Sequence, residues 1–268
     1  MLSVRQPAVS NLFYPGQSLE LRNMLTEFLE QAPLYPYKPE AVISPHAGYI
    51  YSGPVAAVSY KQFLNLDKKK HYDILLIGPS HYVPFNGVSF GYYDYWLTPL
   101  GQVKVNKERI DKFVLENKNL PITLNTIPHI KEHSLEVQVP FLQMVLEDFS
   151  IIPLVYGQIH YSIVEYIMDY FKDENTIIVV STDLSHYYPD NVAKQIDYHC
   201  NIAVEKLSLK EMEKCEACGK IGMEAIIDLA KRKNWKAKVL DYKTSGDTSG
   251  DKSAVVGYQS SIFYVEEK

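Results

Sequence analysis

The chain has 268 residues, 46% of them hydrophobic and 22% charged, with a formal net charge of −5. This is the composition of an ordinary soluble globular protein of one large α/β domain or two small ones, and the acidic balance excludes a broad nucleic-acid surface. No apolar run approaches the roughly 18 residues of a membrane-crossing helix, and the stretch around Arg5 has no apolar core of a secretory leader, so neither a membrane span nor a signal segment is expected.

Residues 5–15, Arg-Gln-Pro-Ala-Val-Ser-Asn-Leu-Phe-Tyr-Pro, have no hydrophobic period and read as an irregular strap before a helix over 18–31. A short apolar strand over 40–44 runs into "SPHAGYIYSG", residues 44–53, which holds more chemistry than a connecting loop needs. His46 follows the strand end, Gly48 permits close backbone approach, and Tyr49 or Tyr51 is placed to line a wall. A helix at 54–63 comes next, and then Lys68-Lys69-Lys70, either a local basic patch or a solvated loop. The strand over 73–78 ends in Pro79-Ser80-His81-Tyr82, and a helix covers 106–116.

Glu132-His133-Ser134-Leu135-Glu136 leads into a helix over 140–147 with Pro140 in its first turn. The acidic residues there either complement the helix dipole or act as substrate contacts and a supporting shell. Strands over 150–155 and 176–181 flank a helix at 162–173, and the second of them delivers Thr182-Asp183-Leu184-Ser185-His186-Tyr187. Helices at 191–208 and 220–232 and strands at 236–241 and 255–265 complete the order. The alternation predicts an α/β fold, a mostly parallel central sheet with helices on both faces.

There are three cysteines, an odd number with no leader, which points to a reducing compartment and free thiols at Cys200, Cys215 and Cys218. Cys215-Glu216-Ala217-Cys218 is a CxxC, but a zinc ribbon needs a second pair and a thioredoxin-like motif would follow the first strand. Cys218-Gly219 reads instead as the start of the helix at 220. The loop over 244–253 either offers amides to an anion and Asp247 or Asp251 to a metal, or is a turn with local side-chain hydrogen bonds. It lacks the order of a P-loop. The 21 tyrosines suggest a polar-aromatic cleft or an interface.

In open α/β sheets, ligands gather beyond the carboxyl ends of the strands. Three strands each deliver a histidine just after that end: His46, His81 and His186. Their ring nitrogens are expected to converge on one pocket. Imidazole binds iron, copper and zinc and serves as a general base near neutral pH. Asp183, three residues before His186, either orients a partner or caps a helix.

Six stretches, "RQPAVSNLFYP", "SPHAGYIYSGPVAA", "GPSHYVPFNGVSF", "EHSLEVQVPFL", "STDLSHYYP" and "TSGDTSGDKSAVVGYQS", together resemble the Memo family (mediator of cell motility) over nearly the whole chain. The resemblance implies a single domain over 1–268 with a fold similar to class III extradiol dioxygenases, which are non-haem iron enzymes. It implies His46 and His81 as metal ligands and His186 with Asp183 as the catalytic acid/base pair. It leaves the third ligand open: where relatives carry a glutamate or a cysteine this chain has Gly246-Asp247-Thr248, so Asp247, His186 or water would complete the set. Tyr49, Tyr51, Glu132 and His133 would face substrate.

The expected cofactor is a divalent metal, iron or copper, and the expected function is a cytoplasmic metal-dependent redox enzyme on a small or peptide-linked substrate. The alternatives are a non-catalytic module for a phosphorylated or carboxylate-bearing peptide, and a component of the AmmeMemoRadiSam set with AMMECR-like and radical SAM proteins.

Overall fold

The computed structural model describes residues 1–266, so the last two residues of the domain expected over 1–268 lie outside the described residues. In chain order the elements begin with β1 (Val4–Arg5), α1 (Ser18–Gln31), β2 (Ala41–Ser44), α2 (Tyr49–Lys61), β3 (Tyr72–Pro79), β4 (Val88–Phe90), β5 (Tyr95–Thr98) and β6 (Gly101–Lys104). Next come α3 (Lys107–Glu116), β7 (Ile122–Thr123), α4 (Ile127–Ile130), α5 (Val139–Val145), β8 (Phe149–Tyr156), α6 (Tyr161–Phe171), β9 (Thr176–Ser181) and β10 (His186–Tyr188). The order ends with α7 (Asp190–Glu205), α8 (Leu209–Met212), α9 (Lys220–Arg232), β11 (Lys236–Thr244), α10 (Ser245–Ser249) and β12 (Val255–Tyr264).

Each strand and long helix expected from the apolar periodicity is present, but α2, expected over 54–63, starts at Tyr49, so the tyrosines read as part of a loop lie in its first turn. Strands β2, β3, β8 and β9 are runs of Val, Ile and Leu that are buried along almost their whole length. That is the pattern of strands covered on both faces. Helices α1, α2 and α5 pack together against one side of the sheet, and α6, α7, α8 and α9 form the other layer.

The main sheet has the order β10-β12-β2-β9-β3-β8-β4-β7, with β11 also paired to β12. Its centre, β2-β9-β3-β8, is parallel. The flanks are not: β12 runs antiparallel to β2, β11 and β10 run antiparallel to β12, and β4 runs antiparallel to β8. The sheet is therefore mixed, which corrects the expectation of a mostly parallel one. Apolar runs mark strands, but direction depends on the path of each connection, and β11 returns to β12 as a neighbour without a crossover helix.

The amino-terminal strap is only partly irregular. Val4–Arg5 adds a strand parallel to β5 in a small sheet of order β1-β5-β6. Beyond it, the buried Glu136 carboxylate gathers the strap: it pairs with Arg5 at 2.7 Å and accepts from the main-chain N–H of Ala8 and Val9 and from the hydroxyl of Tyr14. Four separate donors on one carboxylate satisfy a charge that would otherwise be costly to bury.

Candidate functional site

Strands β2, β9 and β3 are parallel neighbours, with Ser44 level with Ser181 and Ile77 level with Val180. The residues that follow them therefore emerge at one edge of the sheet, where ligand sites of open α/β sheets form. His46 comes from β2, His81 from β3 and Asp183 from β9. The Glu132-His133-Ser134 segment crosses above them, stitched down by the Ser134 hydroxyl donating to the Pro79 carbonyl at 3.0 Å. Gly78 makes room for this crossing, since a Cβ there would lie 3.0 Å from both Leu135 and Ser134.

His46 is buried and its tautomer is determined by its neighbours. The Ser181 hydroxyl donates its one proton to the Ser134 carbonyl and accepts from Gln138 Nε2 at 2.9 Å. The 2.8 Å contact between His46 Nδ1 and Ser181 Oγ must then be a bond donated by Nδ1–H. Nε2 keeps its lone pair, and it lies 3.2 Å from Sγ of Cys218.

His81 follows the same logic. Its Nδ1 is 2.7 Å from Glu132 Oε1, and its main-chain N–H donates to Oε2 of the same carboxylate. A carboxylate only accepts, so Nδ1 carries the proton and Nε2 is bare. Burial works to raise the pKa of Glu132, but the bonds from His81 and from the Ser134 N–H outweigh it and hold it at about 2. The arrangement of a carboxylate on the far nitrogen is how proteins orient metal-binding imidazoles.

His133 lies over His81, ring centroids 4.6 Å apart, and its ring also meets Phe13 of the strap at 4.7 Å. Burial, and then the neighbouring imidazole His81, lower His46 to about 3; burial, then His46 and His81, lower His133 to about 4. Both rings are neutral near pH 7, the form that binds metals. Burial and then the Asp183 carboxylate push the Cys218 thiol up to about 12. With protein groups alone around them, Cys218 and His46 are thus a neutral thiol beside a neutral imidazole, unlike the thiolate–imidazolium pair of a nucleophilic cysteine site.

One donor atom from each of His46, His81 and Cys218 lies within 4.8 Å of the others, and His81, Glu132 and His133 form a second such group. Cys218 is the residue that sequence reasoning left out. It enters through its main chain: Cys218 N–H donates to the Asp183 carbonyl at 3.3 Å, and the Asp183 N–H points at Sγ from 3.4 Å. Gly219 is what lets the two segments close up, because a Cβ there would lie 2.5 Å from Thr182. The cysteine–glycine pair does open α9, and its tight approach to Thr182–Asp183 brings Sγ to His46.

The remaining candidates lie as follows. Asp183 accepts from the His46 N–H at 2.8 Å, and its other oxygen is 3.8 Å from His46 Nε2. His186 stands on β10, close enough to bear on the charge of His46 and Asp183, but it joins neither donor group. Tyr49 is buried rather than lining a wall: its hydroxyl donates to the Val137 carbonyl and its ring packs on Phe141. Tyr51 is exposed on α2. Gly48 caps α2 with room to spare, since a Cβ would meet only ordinary contacts at 3.7 Å, so close approach is not its role.

Asp247 does not reach the cluster. Its carboxylate accepts from the Thr244 N–H at 3.0 Å in a capping box and pairs with Lys194 at 3.1 Å. Asp251 accepts locally from Ser253. The local side-chain hydrogen bonds expected of this loop are present, but they flank the short helix α10 rather than a simple turn. The cysteines also depart from expectation, since Cys200 and Cys215 form a disulfide and only Cys218 is free. Among the described residues, no helix is long and apolar enough to cross a membrane.

Comparison with known proteins finds similarity along nearly the whole chain. Residues 5–262 match the family model described as Memo-like protein. A "MEMO1 family protein" of Thermotoga neapolitana is 34% identical, covering 97% of this chain and 99% of its own length. Proteins of the same description from Aquifex aeolicus and Sulfurisphaera tokodaii are each 35% identical, over 98% and 97% of this chain and 100% and 99% of their own.

Proposed function

The chain belongs to the Memo-like protein family, and from the donor set at its sheet edge we propose that it is a metal-dependent enzyme of redox type acting on a small or peptide-linked substrate. His46 Nε2, His81 Nε2 and Cys218 Sγ would hold one iron or copper ion. The observation that carries this reading is the 4.8 Å grouping of these three residues, with both imidazole Nδ1 atoms already committed to Ser181 and Glu132.

The donor chemistry suits the ion. Two neutral imidazoles and a sulfur are borderline-to-soft ligands, which favour iron, copper or zinc over magnesium or calcium. Cys218 would give up its proton on binding, so affinity should rise with pH. When bound, the ion would supply one-electron chemistry and Lewis acidity. Ser181 and Glu132 orient the rings and fix their tautomers, and Phe13 shields one face of His133 from water. His186, half-buried on the rim, has an imidazole suited to moving a proton to or from substrate.

The alternative, a pocket for a phosphorylated or carboxylate-bearing peptide, has less support. The cluster brings two buried carboxylates, Glu132 and Asp183, and among the described residues no lysine or arginine hydrogen-bonds to their side chains. Anaerobic titration with Fe(II) and with Cu(I), followed by oxygen-uptake assay, tests the proposal. One ion per chain is expected. Undiminished binding by His46→Ala would sink it.

A further inference from the structure

We propose that the cleft at the carboxyl ends of β3 and β8 is the substrate pocket of this metal site, and that it selects an uncharged molecule joining an apolar or aromatic group to an amide. This rests on the metal-site reading above and adds the class of substrate to it.

The cleft has a volume of about 570 Å³, within the range of small-molecule sites. It begins where the cluster ends. Pro79 at the end of β3 is level with Tyr156 at the end of β8, and Cys218, a member of the donor group, also lines the cleft. A molecule held there would lie beside the ion.

Its walls are built in advance. The loop after β3 and the end of β8 are tied by main-chain bonds from Ser80 N–H to the Tyr156 carbonyl at 3.0 Å and from Gln158 N–H to the Phe85 carbonyl at 2.8 Å. The Ser80 hydroxyl also braces the loop by donating to the Val83 carbonyl at 2.7 Å.

The lining sets the chemistry. Val83, Phe85 and Ile221 offer apolar surface, and no aspartate, glutamate, lysine, arginine or histidine is among the lining residues. A charged group entering would shed water and meet no countercharge. Asn86 and Gln158 are exposed there, and among the described residues their side-chain amides have no protein hydrogen-bond partner. Each offers a donor pair and an acceptor, which is the complement of a neutral amide.

Protein-observed NMR titration of the ion-free protein, with N-acetyl-L-phenylalaninamide and N-acetyl-L-phenylalanine as probes, decides the matter. Working without the ion removes its attraction for a carboxylate. The neutral amide should bind at the cleft and the carboxylate at least about tenfold more weakly, since its charge goes unpaired. Asn86→Ala should weaken the amide about fivefold, the loss of one net hydrogen bond. Val83→Lys should reverse the preference, and Pro84→Lys, at an exposed position, serves the same purpose if the first variant does not fold.

Equal affinity for the two probes, or no effect of either lysine, overturns the inference. Co(II) binding, read by its thiolate charge-transfer absorption and its loss in Cys218→Ser, tests the metal site separately. A normal cobalt spectrum with no probe binding defeats the cleft and spares the metal reading. Probe selectivity without a cobalt spectrum does the reverse, and leaves the neutral cleft as a binding pocket in its own right.

Discussion

Sγ of Cys218 lies 3.2 Å from Nε2 of His46, across 172 residues of chain. The contact exists because β9 lies between β2 and β3, so the Thr182–Asp183 turn sits beside His46 and carries the Cys218-Gly219 segment with it. His46→Ala should abolish tight metal binding, because one imidazole and one thiol remain. Cys218→Ser should keep weakened binding through the two imidazoles and lose any sulfur-to-metal absorption band. Calorimetric and optical titrations of the two variants separate these outcomes, and an unchanged spectrum in Cys218→Ser would exclude the thiol from the ligand set.

Glu132→Gln tests the support of His81. The carboxylate takes three N–H groups, from His81 Nδ1, His81 N and Ser134 N. An amide turns one of those acceptors into a donor facing a donor. Metal affinity should fall by about 10–100-fold, the usual loss for such a supporting group. Circular dichroism should show the fold intact.

Asp247→Ala should leave metal affinity unchanged. Its carboxylate serves the capping box with Thr244 and the pair with Lys194, so the loss should appear as stability, about 1 kcal/mol in urea unfolding. A drop in cobalt affinity in this variant would return Asp247 to the ligand set.

Thiol titration of the denatured, unreduced protein should find one free thiol, Cys218, because Cys200 and Cys215 are joined. The loop they close has a sequence separation of 15, so removing the bond by Cys200→Ser with Cys215→Ser should lower stability by about 3 kcal/mol. Three reactive thiols would contradict the pairing.

His129 predicts an acid limb of stability. It is buried, its Nε2–H donates to the Ser89 carbonyl at 2.9 Å, and burial, aided by the Arg5 charge, lowers it from 6.5 to about 3. The unfolded chain takes up a proton near pH 6.5 that the folded one refuses, so this stabilisation is full above 6.5 and is lost as pH falls toward 3. The slope approaches about 1.4 kcal/mol per pH unit. His129→Gln keeps the bond to Ser89 without a titrating group. Urea midpoints between pH 4 and 7 should therefore fall less steeply for the variant. Parallel curves would show that His129 is not responsible.

The inventory of elements, and the points where chemistry leaves them, are legible in the local residue pattern. Short continuous apolar runs placed β2, β3, β8 and β9, and a period of 3.6 placed the long helices, because burial on both faces or on one dictates those patterns locally. The same local physics put His46 and His81 just past strand ends. It also contained the answer for Asp247, since Thr244-Ser-Gly-Asp247 is a capping signature in which both partners are three residues apart.

The remainder follows from contacts between distant segments. Strand direction on the flanks follows from the path of the connections, which an apolar run does not encode. Glu136 and Arg5 are 131 residues apart, and the buried pair between them holds the strap whose Phe13 covers His133. Whether Cys218 meets His46 or merely opens a helix depended on strand order and on Gly219 closing against Thr182. Hydrogen bonds and ligand bonds act over about 3 Å, whereas the residues they join here come from segments that meet only after the sheet has formed.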